Sequence, residues 1–269
     1  MSRDRKHELI EMAQPGRKWG YAAVLAACLI LGLAAVGWQW RSDVVLKSIE
    51  VVSACEVEWK LFSSAACPPL NATEDEIREM VVAELDERLY EMDLARIADQ
   101  AQRHPWIEHV DVERTPSGEM ILTVAERTPV LLAMRSGRPV HYIDAQGFRM
   151  PFVAGVAYDV PLLHGLDETF DPLDAVAEPS VLELASVLDD LDPSIHALVS
   201  EIEIRKAGEF VLHTTVLDGR GSLEVRIGKG EIEKQLTKLH AFWHQALLPE
   251  PERDIRQIDL RFNSQIVTK

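Results

Sequence analysis

The chain has 269 residues, 47% of them hydrophobic and 27% charged, which is enough apolar material for more than one small core and excludes a disordered polyelectrolyte. The formal net charge is −16; the first 18 residues hold five basic and three acidic side chains, which leaves 18 net negative charges on the remainder. An acidic body of this kind argues against nucleic acid as a partner, because phosphate binding needs clustered Lys and Arg.

Gly20 to Trp38 reads GYAAVLAACLILGLAAVGW without a charge. At 1.5 Å per residue such a helix matches a hydrocarbon layer of ~30 Å. Trp19, Tyr21, Trp38 and Trp40 stand at its two ends as interfacial rings, and Arg17 with Lys18 on the N-terminal flank predicts a cytoplasmic N-terminus. The expected layout is a tail over 1–18 and a span over 19–40. A cleaved signal peptide is the weaker reading, since Trp38-Gln39-Trp40-Arg41 offers no small-x-small site. Cys28 lies within the span. Cys55 and Cys67 lie beyond it and bracket a local segment, so a disulfide between them is expected, worth roughly 2 to 3 kcal/mol in the loop-entropy picture.

Leu46 to Val52 reads as a strand, followed by the Cys-bounded loop. Thr73 with Glu76 three residues on forms a capping box, and Ile77, Val81, Val82 and Leu85 continue as a helical stripe. Asp93 opens a second helix carrying Leu94, Ile97, Ala98 and Ala101, which Pro105 stops. Val110 and Val112 then alternate with His109, Asp111 and Glu113, Thr115 to Gly118 turns the chain, and Met120, Leu122 and Val124 alternate back. The order β-α-α-β-β gives a small domain over 44–128 with an inserted Cys loop, and Pro129, which cannot donate to a ladder, marks the boundary with a second domain over 129–269. That second domain is expected to be β-rich with two helices. Its strands are read at 129–134 and 138–144, with a short one in Pro161 to Gly165, and near 199–206, 209–217 and 222–228. The helices are placed at 179–191 and 230–247, and a final strand, IRQIDLRF, at 255–262. The fold class is α+β behind a transmembrane helix.

In this order the features resemble the FtsQ/DivIB family of bacterial cell-division proteins: cytoplasmic tail, single span, POTRA domain, β domain. The resemblance rests on His104-Pro105-Trp106-Ile107, Val110-x-Val112-x-Arg114, Val124-x-Glu126-x-x-Pro129-Val130, Ile143-Asp144-x-x-Gly147, Val160-Pro161-Leu162-Leu163-x-Gly165, Gly228-x-Gly230 and Ile258-Asp259-Leu260-Arg261-Phe262. Ser53 to Leu70 departs from the family as an inserted loop, and His104 stands where an apolar residue is common. The resemblance implies a non-enzymatic scaffold of the inner membrane, N-terminus cytoplasmic and C-terminus periplasmic, acting at the division septum. It implies that the terminal strand, at Arg261, Phe262 and Ser264, receives the small single-span protein FtsB together with FtsL. It implies a recruitment contact with FtsK on the second POTRA strand, at His109, Val112 and Arg114, although alternation puts His109 on the opposite face from the other two. A strand at a sheet edge carries unpaired backbone groups that another strand can use, which agrees with the first of these contacts. The competing reading of Phe262 is that it belongs to the β-domain core.

Nothing in the sequence points to catalysis or to a cofactor or metal. His240 and His244 are four apart on a helix without the glutamate of a zinc-protease motif, and Asp189, Asp190 and Asp192 read as a solvated helix end. Asn71-Ala72-Thr73 matches a glycosylation sequon, but Thr73 is better used as a cap. Trp106 is expected in the core. The functional alternative is a POTRA-bearing envelope transport or chaperone component.

Overall fold

The structure is a computed structural model and describes residues 16–55, 69–81, 87–205, 208–216, 221–250, 255–262 and 264–269. The chain forms two compact units, one made of Met1–Glu50, Ala83–Leu94 and Val112–Ile121, the other of Val51–Val82, Ala95–Asp111 and Leu122–Lys269.

Helix α1 covers Gly16–Asp43. Within it Tyr21–Asp43 is, among the described residues, the one helical stretch long and apolar enough to cross a membrane, and none of its 18-residue apolar window is buried by the rest of the chain. In the same unit Leu46 donates to the Glu87 carbonyl at 2.8 Å, Lys47 donates to the Gly118 carbonyl at 2.8 Å, and the Arg41 guanidinium lies 4.6 Å from the Tyr90 ring centroid. The chain leaving the span is therefore tied down at once by backbone hydrogen bonds.

Strands β1 (Ser48–Ser53), β2 (Ile107–Arg114) and β3 (Glu119–Glu126) form a three-stranded sheet in the order β1-β3-β2, so β3 is central and β2 is an edge. Helix α2 (Glu74–Met80) begins with the expected capping box: Glu76 N–H donates to Thr73 Oγ1, and Thr73 N–H donates to the Glu76 carboxylate at 2.9 Å. These reciprocal bonds satisfy donors that the first helical turn leaves without partners. Val82 and Leu85 of the expected stripe lie outside the described residues. Helix α3 (Leu94–Ala101) buries Ile97 and Ala101, and Trp106 after Pro105 is 1% exposed, in the core as expected.

Beyond it runs a nine-stranded sheet. Its strands are β4 (Pro129–Arg135), β5 (Arg138–Asp144), β6 (Arg149–Pro151), β7 (Leu162–His164), β8 (Val199–Ile204), β9 (Phe210–Thr214), β10 (Glu224–Ile227), β11 (Gln257–Asp259) and β12 (Val267–Thr268), in the spatial order β12-β11-β10-β9-β8-β7-β4-β5-β6. Three pairs are parallel: β4 with β7, β7 with β8, and β10 with β11. Two of these are bridged by helices. Helix α4 (Pro179–Asp189) and the short α5 (Pro193–His196) connect β7 to β8, and α6 (Ile232–Phe242) connects β10 to β11. Parallel neighbours cannot be joined by a tight turn, so a crossover helix is the physical requirement.

Register puts Ala133, Leu163, Ile202, Leu212, Val225 and Ile258 in one row across six strands. This row faces Val181, Leu184 and Leu188 of α4 and Ile232, Leu236, Leu239 and Trp243 of α6 in one core. Each fully buried Val, Leu or Ile side chain here contributes about 1.5 to 3 kcal/mol. The adjacent register row, Glu201, His213, Glu224 and Gln257, is polar, as a sheet solvated on its second face requires.

The end of α6 runs into one π-helical stretch, Trp243–Leu247, closed by Leu248 N–H donating to the Trp243 carbonyl at 2.9 Å, and both Trp243 and Leu247 stay buried. Two expectations are corrected. The final strand is three residues long rather than eight: Leu260 still donates to the Arg226 carbonyl, but Arg261 has left the ladder and Phe262 lies at a bend. Nor is that strand an edge: β10 flanks it on one side and β12 on the other.

Candidate partner-binding surfaces

The expected sites fall at two places, the β11–β12 end of the large sheet and the β2 edge of the small one. At the first, β12 closes on β11 through a reciprocal pair: Lys269 donates to the Gln257 carbonyl at 3.0 Å and Gln257 donates to Lys269 at 3.1 Å. Ile258 stands opposite Thr268 and Asp259 opposite Val267. In an antiparallel pair the bonded and non-bonded positions alternate, so the N–H and C=O of Thr268 point away from β11. Among the described residues β12 is the outermost strand of this sheet.

Arg261, Phe262 and Ser264 lie in the segment joining β11 to β12. The Arg261 guanidinium donates to Asp259 at 3.0 and 2.7 Å and reaches Glu209 at 3.4 Å. Hydrogen bonding to Arg261 holds the Asp259 carboxyl below its ordinary range, and the same bond raises the Arg261 pKa. The charge of Arg261 is thus matched within the chain, and the residue shapes the turn. Phe262 is 45% exposed, which removes the core reading, and its carbonyl accepts from Lys238 Nζ on α6 at 3.3 Å. Ser264 is exposed.

On β2 the burial alternates as expected, with Val110 buried, Val112 and Arg114 half-buried, and His109, Asp111 and Glu113 exposed. His109 sits between Gln102 Nε2 at 3.1 Å and Asp111 Oδ1 at 3.2 Å. Arg114 donates to the Leu89 carbonyl at 2.9 Å and lies 5.3 Å from the Tyr90 ring centroid. The three residues share a strand but not a face, and His109 presents the outward side.

The other candidates resolve into structural roles. His240 and His244 stack edge to face with centroids 4.4 Å apart, and His240 Nε2 lies 3.1 Å from Ser194 Oγ, which donates to Asp192 at 2.5 Å. The Ser194 hydrogen bonds, with both histidines adding to them, hold Asp192 below its ordinary pKa. Among the described residues no group of three or more His, Cys, Asp or Glu is placed to hold a metal ion. Asn71 uses its amide on Glu126 at 2.9 Å and on Tyr158 at 2.7 Å. Cys55 follows β1 in a helical conformation, while Cys67, and with it the expected pairing, lies outside the described residues. Cys28 is an exposed thiol on α1.

Sequence reasoning missed Gln235. This buried side chain accepts from Gly228 N–H at 2.8 Å and donates to the carbonyls of Gly228 and Gly230, so it holds the loop that feeds α6. Its only signal in the sequence is a glutamine on the apolar side of the last helix.

Two family models account for this arrangement. Residues 70–127 match a POTRA domain of the FtsQ type, and residues 128–269 match the C-terminal related region of FtsQ/DivIB. A cell division protein FtsQ from Rhodothermus marinus is 36% identical over 261 residues, covering 95% of this chain and 90% of that protein. The chain belongs to the FtsQ family. A cell division protein FtsQ from Salinibacter ruber is 32% identical over 255 residues (93% of this chain, 91% of the relative), and one from a Geobacter species is 26% identical over 248 residues (90% and 84%). Membership of FtsQ accounts for the POTRA module, for the β-rich region with its helices, and for a single N-terminal apolar helix, and it assigns the protein to cell division.

Proposed function

We propose that the protein is a non-enzymatic divisome scaffold, anchored in the bacterial inner membrane by α1 with a cytoplasmic tail over 1–18 and a periplasmic body made of a POTRA module over 44–128 and a β module over 129–269. Its principal task is to bind the periplasmic parts of FtsB and FtsL during septum formation. The observation that carries this reading is the outermost position of β12, which leaves the backbone groups of Thr268 facing outward, together with the exposed ring of Phe262 in the segment that joins β11 to β12. An extended partner segment added there would gain main-chain hydrogen bonds from β12 and side-chain contacts from Phe262 and Ser264, while Arg261 keeps the turn in shape. The outward side of β2, around His109, would serve recruitment by FtsK, with Val112 and Arg114 holding that strand in place from the inner face.

The test is a pull-down of the purified chain with the periplasmic segment of FtsB. Phe262→Glu puts a charge on the contact, and Thr268→Pro removes an outward donor without touching the β11–β12 bonds. Both variants are expected to keep the far-UV spectrum and thermal midpoint and to lose FtsB. Full retention of FtsB by both overturns the assignment of this edge.

A further inference from the structure

The two segments matched by separate family models are joined by more than one connecting strand. Glu126, at the end of β3, accepts from Ala72 N–H at 2.7 Å with one carboxylate oxygen and from Asn71 Nδ2 at 2.9 Å with the other. The same Asn71 amide donates its second hydrogen to the Tyr158 hydroxyl at 2.7 Å, and Tyr158 belongs to the chain between β6 and β7. Tyr158 is stacked on Trp106 with centroids 5.8 Å apart and 26° between planes, and it meets Tyr142 of β5 edge to face at 5.3 Å. Trp106 and Tyr142 are themselves 5.9 Å apart. Next to this cluster Arg127 N–H donates to the Trp106 carbonyl at 2.9 Å, its guanidinium donates to Asp144 at 2.7 Å, and it lies 4.1 Å over the Phe148 ring. Asp144 is 2% exposed and also accepts from the N–H groups of Gln146 and Phe148.

Every one of these residues falls in the same compact unit. A hinge would show exposed backbone and few apolar contacts at the crossing. Here the crossing carries an aromatic triad, a buried ion pair and a carboxylate with both oxygens engaged. We infer that the α2–α3 layer with the adjoining halves of β2 and β3 forms a single rigid body with the β module, and that Tyr158 is the positioning residue that locks it. The hydroxyl fixes Asn71, and the ring fills the space between Trp106 and Tyr142. Removing the ring frees the crossing while both hydrophobic cores stay intact. Partner docking does not enter this inference, which goes beyond the scaffold reading.

The experiment measures a distance distribution by pulsed electron resonance on the full chain in nanodiscs. Nitroxides are introduced as non-natural amino acids at the exposed positions Asp99 on α3 and Ser186 on α4, so the native cysteines stay untouched. The unmodified joint is expected to give one narrow distribution, and Tyr158→Ala to widen it at least twofold. A wild-type distribution as broad as that of the variant, or a folded Tyr158→Ala as narrow as wild type, overturns the inference. Should Tyr158→Ala fail to fold by circular dichroism, Tyr158→Phe combined with Arg127→Met replaces it with the same two criteria. FtsB pull-down by the folded variant is read separately, so failure of the lock and failure of the docking edge are distinguishable.

Discussion

His141 on β5 is 2% exposed and, among the described residues, has no hydrogen-bond partner for either ring nitrogen. It stacks beside Phe170 at 5.4 Å, and burial, then the positive charges of Arg149 and Arg135, push its pKa from 6.5 down to about 4. Glu168 partly balances these cations, lying 3.7 Å from Arg149 and accepting from Arg135 through its carbonyl. The unfolded chain takes up a proton near pH 6.5 that the folded chain refuses until about 4, so stability falls with decreasing pH across that window and levels below it. The neutral His141 thus contributes full stability above pH 6.5. Replacing it by Gln removes this titration, and the expected outcome is a flatter profile of thermal midpoint against pH between about 4 and 6.5. An unchanged slope in that window would remove His141 as its source. Its burial was not legible in the sequence, because RPVHYID gives alternation but not the loop, Leu166 to Ala177, that crosses over the sheet and brings Phe170 and Glu168 to the site.

At the scale of elements, legibility followed the range of the interaction. The capping box at Thr73 and Glu76 is local, so four residues suffice to read it, and hydrogen bonding to Thr73 holds the Glu76 carboxyl below its ordinary pKa. Thr73→Ala is expected to cost about 1 kcal/mol, measured by urea denaturation, with Glu76→Ala adding less than its own single effect because the two side chains serve one cap. The hairpin β2–β3 was equally readable, since its turn and both alternating runs are contiguous. Strands β6, β11 and β12 span three, three and two residues, too few for any period to stand out. The parallel pairs escaped for a different reason: the partner of β10 lies beyond a helix, and no local pattern says which of several apolar strands it will meet. Tyr158 was missed because the chain from Phe152 to Val160 has neither period nor turn motif, and its ring only acquires a meaning beside Trp106 and Tyr142. The antiparallel pairing of β12 on β11 also sets the expected edge strand one position in from the border of the sheet, so the outward backbone groups there belong to Thr268.

For the whole molecule, the anchor sets the assay. Helix α1 holds an 18-residue apolar window within Tyr21–Asp43, and that window carries none of the burial that a core helix would show. The full chain is expected to remain in the membrane pellet after an alkaline carbonate wash, and a chain starting at Val44 is expected in the supernatant. Release of the full chain by carbonate would mean that α1 does not hold it as a span. The body beyond residue 18 carries 18 net negative charges, so it is expected to be repelled by anionic lipid surfaces, and attachment is expected to rest on the hydrophobic term rather than on charge. The family was visible in the order of short motifs along the chain. The hydrogen bonds of Asn71 to Glu126 and Tyr158 became visible only in three dimensions.

The position of β11 between two neighbours has a practical consequence for anyone trimming the protein. Cutting the polypeptide after Leu248 removes β11 and bares the flank of β10, whose Val225 and Ile227 are fully buried in the intact sheet. A fragment shortened in this way acquires a raw, sticky border, so self-association of such fragments would report an unfinished sheet and not a lost appetite for partners.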